Sequence, residues 1–152
     1  MKNSVAQKHS IKPIDILLVE DNPGDVRLTK EALKEGKINN NLYVVGDGKE
    51  ALDFLNQEKK YKNSVKPDLI LLDLNLPKLD GWGVLKRIKS DSTLKRIPVV
   101  ILTTSEDERD VFNAYNHYAN CYITKPVDLE QFVTIVKSIE KFWFSIVRLP
   151  QQ

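Results

Sequence analysis

Glu20, Asp21, Asp73, Thr103 and Lys125 stand at the carboxyl ends of four short apolar runs, and their types together suit phosphate chemistry. The runs are Ile16-Leu17-Leu18-Val19, Leu69-Ile70-Leu71-Leu72, Val99-Val100-Ile101-Leu102 and Cys121-Tyr122-Ile123-Thr124. A buried strand has no use for an ionised carboxylate at its end, because burying one unpaired costs several kcal/mol or more. Asp73 therefore either works at an open strand end or caps the segment after it. Three converging carboxylates repel one another unless a cation compensates. Hard oxygen donors of this kind suit Mg²⁺, which takes one or two carboxylates, several waters and a phosphate oxygen. A hydroxyl and an ammonium opposite would complete a cradle for a phosphoryl group, and a carboxylate nucleophile can form an acyl phosphate.

Singly, each residue has a plainer reading. An acidic pair is more often a loop start, an Asp after a strand is as often a turn residue, and a Lys before proline is usually solvated. Thr at a strand end is usually structural. Their weight comes from recurrence, in order, at the ends of successive predicted strands.

The elements that must position them alternate. A first strand over Ile14–Val19 is followed by a helix opened by Asn22-Pro23, with Val26, Leu28, Ala32, Leu33 and Ile38 on its apolar face and Gly36 as terminator. A second strand over Leu42–Val45 leads to the capping box Asp47-Gly48-Lys49-Glu50 and a helix carrying Ala51, Leu52, Phe54 and Leu55. The third strand ends on Asp73, and a helix with Val84, Leu85 and Ile88 follows Asp80. The fourth strand precedes a capping box at Ser105–Glu108 and a helix with Val111, Phe112 and Tyr115. The fifth, Cys121–Thr124, precedes the box Asp128–Gln131 and the last and longest helix. Five strands alternating with five helices predict an α/β fold, a doubly wound parallel sheet covered on both faces. In such sheets ligands bind outside the carboxyl ends of the strands, near the switch in strand order. The second strand ends without a reactive residue, as an edge strand would.

The remaining composition is bounding. A chain of 152 residues suits one domain, and a net charge of +2 without a basic cluster gives no electrostatic footprint for nucleic acid. The single cysteine, Cys121, excludes an internal disulfide and suits a reducing compartment; with no long apolar segment, a cytoplasmic location without membrane contact is expected. Residues 1–12 read as a flexible N-terminal arm, 13–147 as the domain and 148–152 as a C-terminal tail, with no output domain after it.

As a set, the motifs Ile-Leu-Leu-Val-Glu20-Asp21-Asn-Pro, Leu-Leu-Asp73-Leu-Asn-Leu-Pro, Ile-Leu-Thr103-Thr-Ser and Tyr-Ile-Thr-Lys125-Pro126 resemble the receiver domain of bacterial two-component response regulators. The segments Asn-Pro-Gly-Asp-Val-Arg-Leu and Asn-Cys-Tyr-Ile-Thr-Lys-Pro look most like the stand-alone regulators paired with bacterial phytochrome histidine kinases. The resemblance implies a flavodoxin-like strand order 2-1-3-4-5. It implies that Asp73 accepts a phosphoryl group from a kinase phosphohistidine. Mg²⁺ would be held directly by Asp21, Asp73 and the Asn75 carbonyl and through water by Glu20. Thr103 and Lys125 would contact the phosphoryl oxygens, and Tyr122 would be the aromatic partner of Thr103 in a two-state switch. The Lys125-Pro126 bond would be cis.

The last helix carries apolar residues beyond one core stripe. Leu129, Phe132, Val133, Val136 and Ile139 form the stripe, and Ile135, Phe142 and Trp143 lie outside it. An excess of this kind marks an interface. The expectation is a homodimer through the fourth helix, fifth strand and fifth helix, with Phe112, Tyr115, Tyr122, Ile135, Phe142 and Trp143 on or near it. Three other functions compete. An aspartyl-phosphate phosphatase needs a second acid two residues after its nucleophile, where this chain has Asn75, so a switch without multiple turnover is favoured. A constitutive binding module has no need for Asp21, Asp73, Thr103 and Lys125 together. Flavin binding lacks a phosphate-cradling loop after the first strand, where Asn22-Pro23 stands.

Overall fold

The computed structural model describes residues 13–104, 121–125 and 128–148. Five strands form one parallel sheet: β1 (Ile14–Val19), β2 (Asn40–Val45), β3 (Leu69–Asp73), β4 (Val99–Thr103) and β5 (Cys121–Thr124), in the order β2-β1-β3-β4-β5. Four α-helices are described: α1 (Pro23–Glu35), α2 (Gly48–Leu55), α3 (Gly81–Ser90) and α4 (Leu129–Arg148). The helix expected after Thr104, with Phe112 and Tyr115, lies outside the described residues, as do the Lys125-Pro126 bond, the terminal arm and residues 149–152; α4 is the last helix of the expected five.

Strand alternation sorts the core into two layers. Leu17, Val19, Ile70, Leu72, Val99 and Ile101 face α2 and α3, packing on Ala51, Phe54, Leu55, Val84, Leu85 and Ile88. Ile16, Leu18, Leu69, Leu71, Val100, Leu102 and Ile123 face α1 and α4, where Leu33, Phe132 and Val136 are buried. Strands buried on both faces read as unbroken apolar runs rather than alternating ones. β3 and β4 are buried at every position, whereas β2 at the edge is buried only at Val45. That contrast puts the most deeply buried strands beneath the central strand ends.

Each described helix starts on a side-chain cap. Asn22 Oδ1 accepts from the Asp25 amide at 3.1 Å with Pro23 at the first turn, Asp47 Oδ1 from Glu50 at 2.7 Å, Asp80 Oδ1 from Gly83 at 2.9 Å and Asp128 Oδ1 from Gln131 at 3.0 Å. These bonds satisfy donors that the first helical turn leaves open. The box at Asp47 is extended by one residue, because the Glu50 carboxylate reaches back to the Gly46 amide at 3.0 Å.

Two expectations are corrected. Leu28 is 52% exposed, not part of the α1 apolar face. The inner stripe runs through Thr29, Ala32 and Leu33, and Thr29 goes inside because its hydroxyl donates to the Asp25 carbonyl at 2.9 Å. Leu129, assigned to the core stripe of α4, is 38% exposed, because that stripe enters the sheet only at Phe132 and Val136. Gly36 ends α1 as expected, in right-handed geometry (φ −75°), and the left-handed residue is Lys37 (φ 56°). Gly36 is there for room: a Cβ would sit 2.7 Å from Val133 Cγ2.

Candidate functional site

The pairing of β1 with β3, β3 with β4 and β4 with β5 brings the ends carrying Glu20, Asp73, Thr103 and Lys125 to one rim. Register places Asp73 beside Leu102 and Thr103 beside Thr124. Glu20, Asp73 and Thr103 are buried, while Asp21, two residues past the end of β1, is exposed. Carboxylate oxygens of Glu20, Asp21 and Asp73 lie within 4.8 Å of one another.

The Lys125 ammonium closes the cluster. Its Nζ donates to Glu20 Oε1 at 2.6 Å, Asp25 Oδ2 at 2.9 Å and Asp73 Oδ2 at 3.3 Å, and its side chain is only 8% exposed. The Lys125 amide donates to the Thr103 carbonyl at 2.7 Å, which ties the lysine to the end of β4. The other Glu20 oxygen accepts from the Asn22 amide at 3.3 Å, and Asp73 Oδ1 accepts from the Asn75 amide at 3.1 Å. Buried charges persist where paired and hydrogen-bonded, and these are.

The electrostatics of the rim are set first by burial and then by neighbouring charges. Burial pushes the Glu20 carboxyl up to about 7, against the Lys125 hydrogen bond, and neighbouring Asp73 adds to the rise. Burial works against the Lys125 charge, yet the hydrogen bonds to Glu20 and Asp25 and the Asp73 charge hold it above the ordinary lysine value. Four carboxylates around one ammonium leave a formal excess of three negative charges. Three hard oxygen donors in mutual reach, with excess negative charge, fit a divalent cation of the Mg²⁺ or Mn²⁺ type.

Glycines let the supporting backbone approach. A Cβ on Gly48 would overlap the Leu79 carbonyl oxygen, so the loop after β3 rests directly on the start of α2. Lys78, in that loop at φ 65°, pairs with Asp47 at 3.5 Å. Trp82 is half-buried against the α2 and α3 layer.

Of the expected site residues, Glu20, Asp21, Asp73 and Lys125 come together, with Thr103 at the adjacent strand end. Asn75 is exposed, with its amide on Asp73. Tyr122 is half-buried and packs against the α2 and α3 layer, and Ile135 is half-buried against the other. Phe112 and Tyr115 lie outside the described residues, and the side chains of Phe142 and Trp143 are not described. Asp25 was missed. It stands 100 positions before Lys125, and its only local signal was an acid in the first turn of a helix beside the site.

A 2-1-3-4-5 parallel sheet with an acidic cluster and a lysine on its carboxyl rim defines a receiver. Residues 16–137 match the response regulator receiver domain family, and the chain belongs to it. Response regulator Rcp1 of Synechocystis sp. is 51% identical over 138 residues, spanning 91% of this chain and 94% of Rcp1. Among solved structures, the phosphorylated cyanobacterial phytochrome response regulator RcpA matches with a TM-score of 0.76 and 54% identity, over 89% of this chain and 96% of that one. The Mn²⁺-bound form of Rcp1 matches at 0.75 and 51%, over 87% and 95%. The protein is thus a receiver-domain response regulator homologous to a phytochrome-associated regulator, and its acidic cluster fits a divalent metal site. No helix among the described residues is long and apolar enough to cross a membrane.

Proposed function

We propose that this chain is a phosphorylation switch in which Asp73 takes a phosphoryl group from a phosphohistidine of a sensor histidine kinase. The observation that carries this reading is the convergence of Glu20, Asp21 and Asp73 within 4.8 Å beneath the Lys125 ammonium. An Asp73 carboxylate oxygen attacks phosphorus, the P–N bond to the imidazole breaks, and the departing ring nitrogen keeps the bonding electron pair. Lys125 and the Thr103 hydroxyl then hydrogen-bond the phosphoryl oxygens. Asp21, Asp73 and the Asn75 carbonyl would hold Mg²⁺ directly and Glu20 would hold it through water, and the ion would supply charge neutralisation for the carboxylates and the phosphoryl group. Drawing Thr103 toward the phosphoryl group makes room for Tyr122 to turn inward. Coupling of roughly 1–3 kcal/mol between the two events gives a graded response, and about 5.5 kcal/mol gives a nearly complete one.

Asn75 occupies the place of a second acid, which supports a stoichiometric switch rather than a turnover catalyst. Similarity to the cyanobacterial phytochrome response regulator RcpA and to the bacteriophytochrome response regulator RtBRR supports a phytochrome kinase as donor. Output through protein association in the cytoplasm, including a homodimer on the face of β5 and α4, completes the reading. Sedimentation with and without beryllofluoride tests the dimer, and a monomer at high micromolar concentration in both conditions rejects it.

The central test is incubation with Mg²⁺ and acetyl phosphate followed by mass spectrometry. One labile phosphoryl group on Asp73 is expected, and none on Asp73→Asn. Undiminished uptake by Asp73→Asn overturns the assignment.

A further inference from the structure

We infer that Asp25 is a positioning residue for Lys125, holding the ammonium at the rim while Glu20 and Asp73 release it. The inference rests on Asp73 and its neighbours being the metal and phosphoryl site. An ammonium has three donors. Here all three go to carboxylates, at 2.6 Å from Glu20, 2.9 Å from Asp25 and 3.3 Å from Asp73. A divalent ion drawn to the cluster competes with the lysine for the oxygens of Glu20 and Asp73. To hold a phosphoryl oxygen, Lys125 must turn away from Asp73. Asp25 is the one partner of the three outside the group of mutually close carboxylates, so its contact conflicts with neither event.

Its backbone is built to stay in place. The Asp25 amide donates to the Asn22 cap at 3.1 Å, and its carbonyl accepts from the buried Thr29 hydroxyl at 2.9 Å. The carboxylate is thereby carried on the first turn of α1, not on a loose loop. It is 32% exposed, so its pull on the lysine is moderate and the contact can be exchanged. Without it, the ammonium falls wholly on Glu20 and Asp73, and an incoming cation has to displace it from both.

The test is calorimetric titration with Mg²⁺ alone on wild type, Asp25→Asn, Asp25→Glu, Lys125→Met and the Asp25→Asn/Lys125→Met double variant. Asp25→Asn should bind Mg²⁺ about threefold to tenfold more weakly, and Asp25→Glu should recover most of the loss. In the Lys125→Met background the same Asp25→Asn change should cost less than about twofold, because nothing remains for Asp25 to hold. An equal loss in both backgrounds shows that Asp25 acts through its field alone and overturns the inference, as does an unchanged Asp25→Asn affinity. Circular dichroism melts check that each variant is folded, with Lys125→Gln as the alternative neutral background. Labelling by acetyl phosphate separates the two readings. Wild type unlabelled at Asp73 overturns the phosphoacceptor assignment, whereas labelled wild type with unaltered Asp25→Asn affinity overturns this inference alone.

Discussion

Gly81 lies directly against the backbone of Asp73: a Cβ at position 81 would be 2.5 Å from the Asp73 carbonyl oxygen and 2.5 Å from Leu74 Cα. The Gly81 amide also donates to the Leu74 carbonyl at 3.0 Å, so the first turn of α3 is seated on the strand end that presents the carboxylate. A Gly81→Ala substitution should cost about 1–3 kcal/mol through forced displacement of that backbone. Mg²⁺ binding should weaken with it. Urea unfolding and calorimetry check both, with Gly46→Ala as control, since a Cβ there meets nothing within 4 Å. Equal stability for the two variants would show that α3 is free to move off Asp73.

The raised Glu20 carboxyl makes stability depend on pH when no divalent ion is present. Its value is about 7 in the folded chain against 4.5 ordinarily, so between those values the folded state binds more protons than the unfolded one. That stabilisation is complete below about 4.5 and is lost as pH rises through about 7. In EDTA the melting temperature should fall from pH 5 to pH 8. Saturating Mg²⁺ or Glu20→Gln should flatten this slope. A wild-type slope identical to that of Glu20→Gln would remove Glu20 as its source.

Glu50 acts in the opposite sense and in a separate window. The Tyr61 hydroxyl and then the Gly46 amide donate to its carboxylate, with Lys60 at 3.1 Å, and together they pull it down to about 2. Its contribution is therefore present above about 4.5 and is lost as pH falls toward about 2. Glu50→Gln should cost roughly 1–2 kcal/mol at neutral pH and less in acid, measured by urea unfolding at several pH values. Tyr61→Phe should reproduce part of that cost. An acid-independent difference would mean that shape, not charge, holds the α2 terminus.

The strands and their chemical ends were legible because a strand buried on both faces leaves an unbroken apolar signature, and a carboxylate ending it stands out. Asn22, Asp47, Asp80 and Asp128 were legible for a similar local reason: a cap and the amide it accepts lie within three residues. Leu28 misled because hydrophobicity alone cannot tell the flank of a helix from its centre. The centre belonged to Thr29, whose hydroxyl is satisfied by its own helix. Leu129 misled because a spacing pattern cannot show where a helix first meets the sheet. Asp25 escaped notice because its partner lies 100 positions away, and no local periodicity encodes such a contact. The roles of Gly48 and Gly81 were hidden likewise, since close approach depends on which backbone arrives from elsewhere.

The contacts of Lys125 span 105 positions to Glu20, 100 to Asp25 and 52 to Asp73. Local helices and β1–β2 pairing can form as the chain is made, but closing loops of this length comes late. During synthesis the acidic ends of β1 and β3 emerge well before the lysine that pairs with them. The last strand thus delivers the rim's ammonium as it docks, and the negative excess that remains is what a divalent cation would balance.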